Sequence, residues 1–324
     1  MKAQTPKYFN SKLSIGLFFL PLSILYWLVS SINRIKSKPY HSKAKVICIG
    51  NITIGGVGKT PLVIKMIELL IKKHIKVGVL SRGYGGRLSS NKPVLVDEKK
   101  HTALDVGDEV FMIYKKFNGN VPVCICSNRA KSAKLLEKKV DVIIMDDGLQ
   151  NYTLKKDKSV LVFDGVSTIS NGFIFPAGPL REGLKSGMKK ASAVVIMRKL
   201  NQSFEKKLSS YNVPIFQAFT EPKDLKKFKN KEVIAFAGIG NPQKFYDTLN
   251  GEGVKIKQSL EFPDHYEYSD SDFEKILSAS GNMPILTTSK DYVKIPAKYR
   301  KKITPVEIDL KIENEKSLLD VILK

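Results

Sequence analysis

The sequence predicts an α/β fold with two domains, the first of them built on a parallel sheet. From residue 45 onward, short apolar runs alternate with stretches in which apolar residues recur every three or four positions, the pattern of strands joined by helices. A glycine-rich segment, 53–60, separates the first such run from the first helical stretch. A lysine-rich stretch, 221–232, interrupts the alternation before a second, shorter series begins.

The composition is that of a globular protein with a large excess of positive charge. Of the 324 residues, 43% are hydrophobic and 26% are charged, which argues against a disordered chain and against a multi-span membrane protein. The length suits two domains of ordinary size. The formal net charge of +23 favours phosphate-bearing partners, whether nucleic acid, anionic lipid or a phosphorylated substrate.

Three cysteines, Cys48, Cys124 and Cys126, all fall in apolar runs that are predicted as strands. An odd number of cysteines in such positions is a poor disulfide framework, so we expect reduced thiols and a cytosolic compartment. Cys124 and Cys126 would share one strand face. Buried packing is the favoured interpretation of this pair, with a metal site as the alternative.

An apolar segment, 13–33, precedes the alternating region and is long enough to cross a hydrocarbon core. Pro21 and four serines interrupt it, and basic residues flank both ends. A helix lying at the interface with its basic flanks on anionic headgroups fits these residues as well as a spanning helix does. No A-x-A-like cleavage site follows, which argues against a signal peptide. We therefore expect residues 1–37 to form a membrane-associated helix.

The alternating region divides into two series of predicted elements. The first series has strands at 45–50, 76–81, 122–126, 141–146, 159–164 and 192–197, and helices near 60–73, 106–117 and 129–138. The second has strands near 233–238, 254–260, 284–288 and 304–309, and helices near 241–250, 270–279 and 314–323. We place the boundary in the lysine-rich stretch, so that 38–225 forms the first domain and 226–324 a smaller α/β domain that closes a cleft.

The glycine-rich segment has the chemistry of a phosphate-binding loop. Glycines allow backbone N–H groups to approach a phosphate, the following helix adds its positive dipole end, a lysine reaches the outer phosphates, and a hydroxyl can hold Mg²⁺. The pattern departs from G-x-x-x-x-G-K-[ST] only where Thr53 replaces the first glycine. The residues predicted to bind ATP are Thr53, Gly55, Gly56, Val57, Gly58, Lys59 and Thr60.

A second nucleotide element is DVIIMDDGLQ, 141–150, in which a buried strand carries Asp146 and Asp147 to its C-terminal end. Ligands bind at that end of the strands in such sheets. One carboxylate can orient Mg²⁺ directly or through water, and the other can hold a catalytic group or a second cation. The alternative is a helix cap or a turn.

Further clusters have no simple structural explanation, and together they identify a family. These clusters occur in the same order along the chain, together with the phosphate loop and DDGLQ, as in the tetraacyldisaccharide 4′-kinase family of lipid A synthesis, which the sequence resembles. The resemblance extends from the N-terminal apolar helix to TTSKDYVK, 287–294. The motifs that carry it besides the two nucleotide elements are SRGYGGR (81–87), VGDEVF (106–111), FPAGPLREG (175–183) and FPDHYEY (262–268).

This resemblance implies a P-loop NTPase-like fold and a kinase that uses ATP and Mg²⁺. It implies transfer of the γ-phosphate to the 4′-hydroxyl of an acylated glucosamine disaccharide that carries a 1-phosphate. The expected partners are this anionic lipid and a membrane surface, with no nucleic acid, and the expected state is a monomer. The expected location is the cytoplasmic face of the inner membrane.

A sugar hydroxyl needs a base near neutral pH, and Asp108, in the GDE segment, is the candidate. In the resembling family this aspartate acts with the histidine of the D-H motif, which is His265 here. A carboxylate beside an imidazole fixes its tautomer and shares its proton. A helix N-cap is the alternative for Asp108 and a surface turn the alternative for His265. Glu109 is a candidate metal ligand beside Thr60, Asp146 and Asp147, with a solvated helix face as its alternative.

Arg82, Arg129 and Arg181 are the candidates for binding anionic groups of the substrate or nucleotide, because the planar guanidinium suits phosphate. Surface ion pairs are the alternative for each. Two positions depart from the family pattern. Asn151 stands where the DDG-Q motif tends to continue with a histidine, and Tyr266 where a second histidine often follows the D-H motif.

Two other classes of protein compete with the kinase. The first is a membrane-associated partitioning ATPase of the deviant Walker class, a switch that also uses a GG-x-GKT loop. That class carries an extra lysine at the start of the loop, where this chain has Thr53 and Ile54. The second is a nucleic-acid-binding protein, but the sequence lacks helix-turn-helix, RNP and zinc patterns, and its lysines are dispersed among acidic residues.

Overall fold

The computed structural model describes residues 6–11, 15–199 and 201–324. The basic residues Lys2 and Lys12, and the first two residues of the predicted apolar segment, lie outside these ranges. Short 3₁₀ turns cover Lys7–Asn10, Ile15–Phe19 and Leu225–Phe228.

The first part of the chain alternates strands and helices, as the hydrophobic pattern predicts. Its elements are α1 (Leu20–Lys36), β1 (Lys45–Gly50), α2 (Lys59–Lys72), β2 (Val77–Ser81), β3 (Val94–Leu95), α3 (Ala103–Val106), α4 (Asp108–Lys116), β4 (Val123–Ile125), α5 (Arg129–Leu136), β5 (Val142–Asp146), β6 (Lys158–Asp164), α6 (Leu184–Met188), β7 (Ala193–Met197), α7 (Gln202–Ser209) and β8 (Ile215–Pro222).

The rest of the chain continues the alternation with shorter helices. Its elements are β9 (Glu232–Ala237), α8 (Pro242–Gly251), β10 (Lys255–Glu261), α9 (Asp270–Ser280), β11 (Ile285–Thr288), α10 (Ser289–Tyr292), α11 (Ala297–Arg300), β12 (Ile303–Val306), β13 (Ile308–Ile312) and α12 (Glu315–Leu323).

The larger sheet has nine strands in the order β13-β8-β7-β6-β1-β5-β2-β4-β3. Neighbouring strands are parallel except at the two edges, where β13 and β3 run antiparallel to their neighbours. Strand β1 lies between β5 and β6, and helices cover both faces, so the central strands are fully buried. The C-terminal ends of β1, β5 and β2 therefore meet at one edge, where the phosphate loop begins.

The smaller sheet has four parallel strands in the order β10-β9-β11-β12. Apolar clusters lie on both of its faces, one around Phe245 and Leu249 of α8 and the other around Phe273 and Ile276 of α9. The segments that follow β10 and β11 carry His265 and Lys290, and both of these side chains approach Asp108 of α4.

The C-terminal elements differ from the prediction. The segment 304–309, predicted as one strand of the second domain, is divided at Glu307 into β12 and β13, and β13 pairs with β8 of the larger sheet. Helix α12, also predicted for the second domain, buries its apolar side chains in the core of the larger sheet. A local pattern identifies a strand or helix but not the sheet that it joins. The domain boundary at 225/226 stays a prediction.

The predicted helix at 106–117 is also interrupted. Gly107 has φ 93° and ψ 140°, which ends α3 and starts α4 at Asp108. A β-carbon at Gly107 would lie 2.6 Å from the carbonyl oxygen of Tyr84, so the position requires glycine. The break sets Asp108 at the first turn of a new helix.

Helix α1 starts at Leu20, and Pro21 lies in its first turn, where a proline is tolerated, rather than in its interior. Together with the preceding turn it spans Ile15–Lys36, the one segment among the described residues that is long and apolar enough to cross a membrane. Only 11% of that segment is buried against the rest of the chain.

Candidate active site

The phosphate loop joins β1 to α2 through two glycines with positive φ. Gly55 has φ 113° and Gly58 has φ 89°, conformations that side chains strongly disfavour. A β-carbon at Gly58 would approach Cε of Met197 to 2.8 Å, whereas Gly55 and Gly56 face open space. The loop is therefore packed on one side and open on the other, which leaves its backbone accessible to a ligand.

The start of the loop is held by the segment before α6. Thr53 forms an antiparallel bridge with Leu180, the amide of Ile54 donates to the carbonyl of Pro179 at 2.7 Å, and the amide of Arg181 donates to Ile52 at 2.7 Å. Thr53 is buried, so at the position where the motif expects glycine the chain has a strand-like anchor. This anchor connects the FPAGPLREG motif directly to the phosphate loop.

Lys59 and Thr60 begin α2 and already contact polar groups of the site. The ammonium of Lys59 donates to Oδ1 of Asn51 at 3.2 Å and lies 3.7 Å from Oδ1 of Asp147. The hydroxyl of Thr60 donates to Oε2 of Glu109 at 3.0 Å. The phosphate loop is thus connected to the first turn of α4.

Strand β5 ends at Asp146, Asp147 follows it, and the two carboxylates differ in environment. Burial, followed by the nearby charges of Glu109 and Asp147, raises the pKa of Asp146 to about 7. Asp147 has φ 45°, and its two carboxylate oxygens accept hydrogen bonds at 3.0 and 3.1 Å from the guanidinium of Arg181. Both carboxylates therefore lie at the strand ends beside the phosphate loop, as the sequence predicts.

The described residues contain no group of three or more acidic, histidine or cysteine side chains arranged to hold a metal ion by themselves. Thr60, Glu109, Asp146 and Asp147 nevertheless lie around the loop. Mg²⁺ commonly takes one or two protein ligands and completes its shell with phosphate oxygens and water. These residues fit a cation bound together with a nucleotide.

Asp108 and His265 meet although 157 positions separate them in the chain. Nδ1 of His265 lies 3.0 Å from Oδ2 of Asp108, which is buried. At this distance the two groups form an ion pair when His265 is protonated, and Oδ2 accepts no well-aligned hydrogen bond within the described residues. Asp264 also approaches the imidazole, at 3.8 Å from Nε2.

The Asp108 carboxylate raises the pKa of His265 above its ordinary value. Burial by itself raises the pKa of Asp108, but the contact with His265 and the charge of Lys290 outweigh it, so the pKa of Asp108 lies below its usual range. The pair therefore favours an ionised carboxylate beside an imidazole that readily holds a proton.

Lys290 is a member of this site that sequence reasoning missed. It belongs to α10, and its ammonium lies 3.1 Å from Asp264, 3.4 Å from Glu109 and 3.7 Å from Asp108. The signal was present in the TTSKDYVK motif, which carries this lysine.

The SRGYGGR motif brings Tyr84 to the same place. A β-carbon at Gly86 would lie 2.5 Å from the carbonyl carbon of Val106, so the loop can lie against the backbone before α4 only with glycine there. The ring of Tyr84 contacts that of His265 at a centroid distance of 5.7 Å and an angle of 65°. The loop thus forms one wall beside the Asp108 and His265 pair.

The three predicted arginines differ in their surroundings. Arg181 is engaged by Asp147. Arg129, at the first turn of α5, is buried, bonds to the carbonyls of Cys126 and Ser127, and has no partner for Nε within the described residues. Burial lowers the pKa of Arg129, although a guanidinium stays charged. Arg82 is exposed at the end of β2.

A comparison with known families identifies the chain. The family model described as "Tetraacyldisaccharide-1-P 4'-kinase" matches residues 15–324. The chain belongs to this family. The predicted recognition and the predicted class of enzyme, a kinase, are therefore confirmed.

Relatives named tetraacyldisaccharide 4′-kinase are similar over most of their length. The protein of Gluconobacter oxydans is 36% identical over 295 residues, which cover 89% of this chain and 88% of the relative. The protein of Mannheimia succiniciproducens is 37% identical over 322 residues, which cover 96% of this chain and 95% of the relative. The similarity therefore includes both sheets.

A solved structure of the same family confirms the fold. It is the crystal structure of an "apo" form of LpxK from Aquifex aeolicus in complex with ATP, and it has a TM-score of 0.77 and 29% identity. The match covers 96% of this chain and 99% of that one. The predicted P-loop NTPase-like α/β fold with a parallel sheet is confirmed.

Proposed function

We propose that this chain transfers the γ-phosphoryl group of ATP to the 4′-hydroxyl of a tetraacyl glucosamine disaccharide 1-phosphate in lipid A biosynthesis. The observation that carries the proposal is the pairing of Asp108 with His265 next to the phosphate loop. Glu109, which follows Asp108, accepts the hydrogen bond of Thr60 at 3.0 Å. A base adjoining a triphosphate site suits phosphoryl transfer to an alcohol.

Asp108 acts as the base in this proposal. As the sugar oxygen attacks the γ-phosphorus, the hydroxyl proton passes to the Asp108 carboxylate while the bond from phosphorus to the ADP oxygen breaks. The depressed pKa of Asp108 keeps it ionised before the reaction. His265 orients the Asp108 carboxylate and, after the transfer, shares the proton that Asp108 has accepted.

The nucleotide is held by the loop from Thr53 to Thr60. Backbone amides at the glycines surround the phosphates, and Lys59 leaves its contacts with Asn51 and Asp147 for the outer phosphate oxygens. Thr60, Glu109, Asp146 and Asp147 are the residues that would hold Mg²⁺. When bound, this ion would neutralise developing charge on the phosphoryl oxygens.

Arg82 and Arg129 are proposed to bind anionic groups of the substrate, because neither has a carboxylate within ion-pair distance among the described residues. Arg181 differs, since Asp147 already neutralises it. Its proposed role in substrate binding therefore requires Asp147 to turn toward the cation. The orientation of the substrate depends on all three guanidinium groups in this proposal.

The lipid reaches the site from a membrane surface through α1. Ser23 of α1 donates to the carbonyl of Ile174 at 2.8 Å and accepts from the amide of Ala177 at 3.0 Å, and Tyr26 packs its ring on Phe175. These contacts join the apolar helix to the segment that anchors the phosphate loop. We propose that the chain works as a monomer on the cytoplasmic face of the inner membrane, where ATP is available.

Measurement of ADP release tests this function against the partitioning ATPase. The chain is reconstituted in lipid vesicles with Mg²⁺ and ATP, with or without a tetraacyl disaccharide 1-phosphate. Release that depends on the acceptor lipid supports the kinase. ADP release that does not depend on the lipid but rises with a protein partner supports the partitioning ATPase, which the family assignment does not favour.

A further inference from the structure

Lys290 contacts carboxylates on both sides of the cleft at this site, as His265 also does. Its ammonium lies within 4 Å of Asp108 and Glu109 on α4 and of Asp264 in the loop after β10. The side chain is only 17% exposed. Such burial removes most of the hydration of the ammonium, a cost that a lysine on the protein surface does not incur.

The backbone that carries Lys290 is fixed by a buried polar network. Asp291 is fully buried and accepts hydrogen bonds from the amide of Gly238 at 3.0 Å, from Tyr268 at 2.9 Å and from the hydroxyl of Thr288 at 2.7 Å. Lys294 completes the network with an ion pair at 2.8 Å. This network holds the short helix α10 against β9 and β11 and so fixes the direction of the preceding lysine.

The Lys290 ammonium lies between the proposed base and a residue that contacts the phosphate loop. On one side is Asp108, proposed to take the proton of the sugar hydroxyl. On the other is Glu109, which accepts the hydrogen bond of Thr60 at the start of α2. A phosphoryl group passing from a nucleotide on the loop to an oxygen beside Asp108 must cross this space, and its equatorial oxygens carry negative charge.

We propose that Lys290 is a further catalytic residue that contacts the γ-phosphoryl group of bound ATP. With nucleotide present, its ammonium exchanges a carboxylate contact for an oxygen of that group. The lysine donates hydrogen bonds and keeps its proton, while the bond changes remain those of the transfer itself. This inference rests on the proposed function, because it assumes that a triphosphate lies on the loop.

The alternative is that Lys290 only ties the second sheet to α4. The two roles differ in what they do to nucleotide binding. A contact with the γ-phosphoryl group strengthens binding of a triphosphate and leaves that of a diphosphate unchanged. A structural tie alters both nucleotides together, or neither.

The test is calorimetric binding of Mg²⁺ with ADP or with a non-hydrolysable ATP analogue, in the absence of acceptor lipid. Lys290→Met is compared with Lys290→Arg, which keeps the cation, and with Lys290→Gln, which replaces the Met variant if that variant does not fold. The matched control is Lys298→Met, because Lys298 pairs with Asp270 at 2.7 Å on the outer surface of the same sheet and is 57% exposed.

We expect Lys290→Met to weaken binding of the ATP analogue about tenfold and to lower kcat with lipid roughly 100-fold, the scale of losing one preorganised donor. The affinity of Lys290→Met for ADP stays within about twofold of the parent value. Lys290→Arg retains most of the preference for the ATP analogue over ADP, and Lys298→Met binds both nucleotides as the parent does. Equal losses for both nucleotides, or no loss for either, overturn the role of Lys290 alone. A parent chain that binds neither nucleotide overturns the proposed function as well.

Discussion

Asp108 depends on two neighbours that the local sequence does not supply. Gly107 ends α3 and places the carboxylate in the first turn of α4, where it is buried. His265 and Lys290 then approach it from the other sheet. A buried carboxylate without such partners would favour its neutral form, so these contacts are what keep the proposed base ionised.

We predict that Asp108→Asn lowers turnover about 10²–10⁴-fold, because the amide cannot accept the sugar proton. The affinity for ATP should change little, since the phosphate loop is untouched. Steady-state kinetics and nucleotide titration measure the two effects. The control is Asp105→Asn. Asp105 is a nearby carboxylate that caps α3 together with Thr102 and has no role in the proposed transfer. Wild-type turnover in Asp108→Asn removes this residue from the mechanism.

Gly58 and Gly56 offer a matched pair for the phosphate loop. Gly58→Ala should reduce the free energy of unfolding of the nucleotide-free chain by about 1–2 kcal/mol, because its φ of 89° is left-handed and its β-carbon meets Met197. Gly56→Ala should be nearly neutral, because the added carbon meets open space. Denaturant unfolding measures both. Equal destabilisation of the two variants would contradict this loop geometry.

At the scale of elements, the six strands predicted for the larger sheet are confirmed to within a residue or two at each end. They were predictable because strands buried on both faces have continuous apolar sequences. Strand β8 was missed, since in 215–222 apolar residues mix with Gln217 and Thr220. Its register is set by pairing with β7 and β13, which lies outside any local window.

The site was predictable where one motif carries its own chemistry. Strand, glycines, lysine and threonine are contiguous, so the phosphate loop needed no tertiary information. The pairing of Asp108 with His265 was implied only by the family resemblance, and the structure brings the two residues together. Lys290 was missed because its environment of three carboxylates comes from two distant segments.

The contact between α1 and the segment before α6 gives a third prediction. Ser23→Ala leaves the buried amide of Ala177 without its acceptor, a loss of about 1–3 kcal/mol in local stability. Amide hydrogen exchange at Ala177 in detergent micelles should accelerate accordingly. Ser30→Ala on the same helix is the control and should leave that exchange unchanged. Unaltered protection in Ser23→Ala would show that α1 is not held by this contact.

At the scale of the whole molecule, the C-terminus returns to the larger sheet. Strand β13 pairs with β8, and α12 contributes Leu318, Leu319 and Ile322 to the core beside α2. Lys65 of α2 adds an ion pair with Glu315 at 2.6 Å. The chain between β8 and β13 is therefore an insertion whose two ends are held by adjacent strands, a geometry suited to relative movement of the smaller sheet.

This topology predicts where a C-terminal substitution acts. Ile322→Ala should destabilise the larger sheet by about 2–5 kcal/mol, because a fully buried side chain leaves a cavity in its core. Lys316→Ala, on the exposed face of the same helix, should have little effect. Denaturant unfolding, monitored by the loss of nucleotide binding, measures the stability of the larger sheet. An unfolding transition confined to the smaller sheet would contradict the return of α12.

The chemical structure of the lipid product decides whether this chain is a 4′-kinase. The vesicle-reconstituted chain is incubated with ATP, Mg²⁺ and a tetraacyl disaccharide 1-phosphate, and the lipid is analysed by tandem mass spectrometry beside an ADP assay. We expect one new phosphoryl group on the 4′-oxygen for each ADP formed, and loss of this product in Asp108→Asn. ADP formed without a phosphorylated lipid, or transfer to another oxygen, would contradict it.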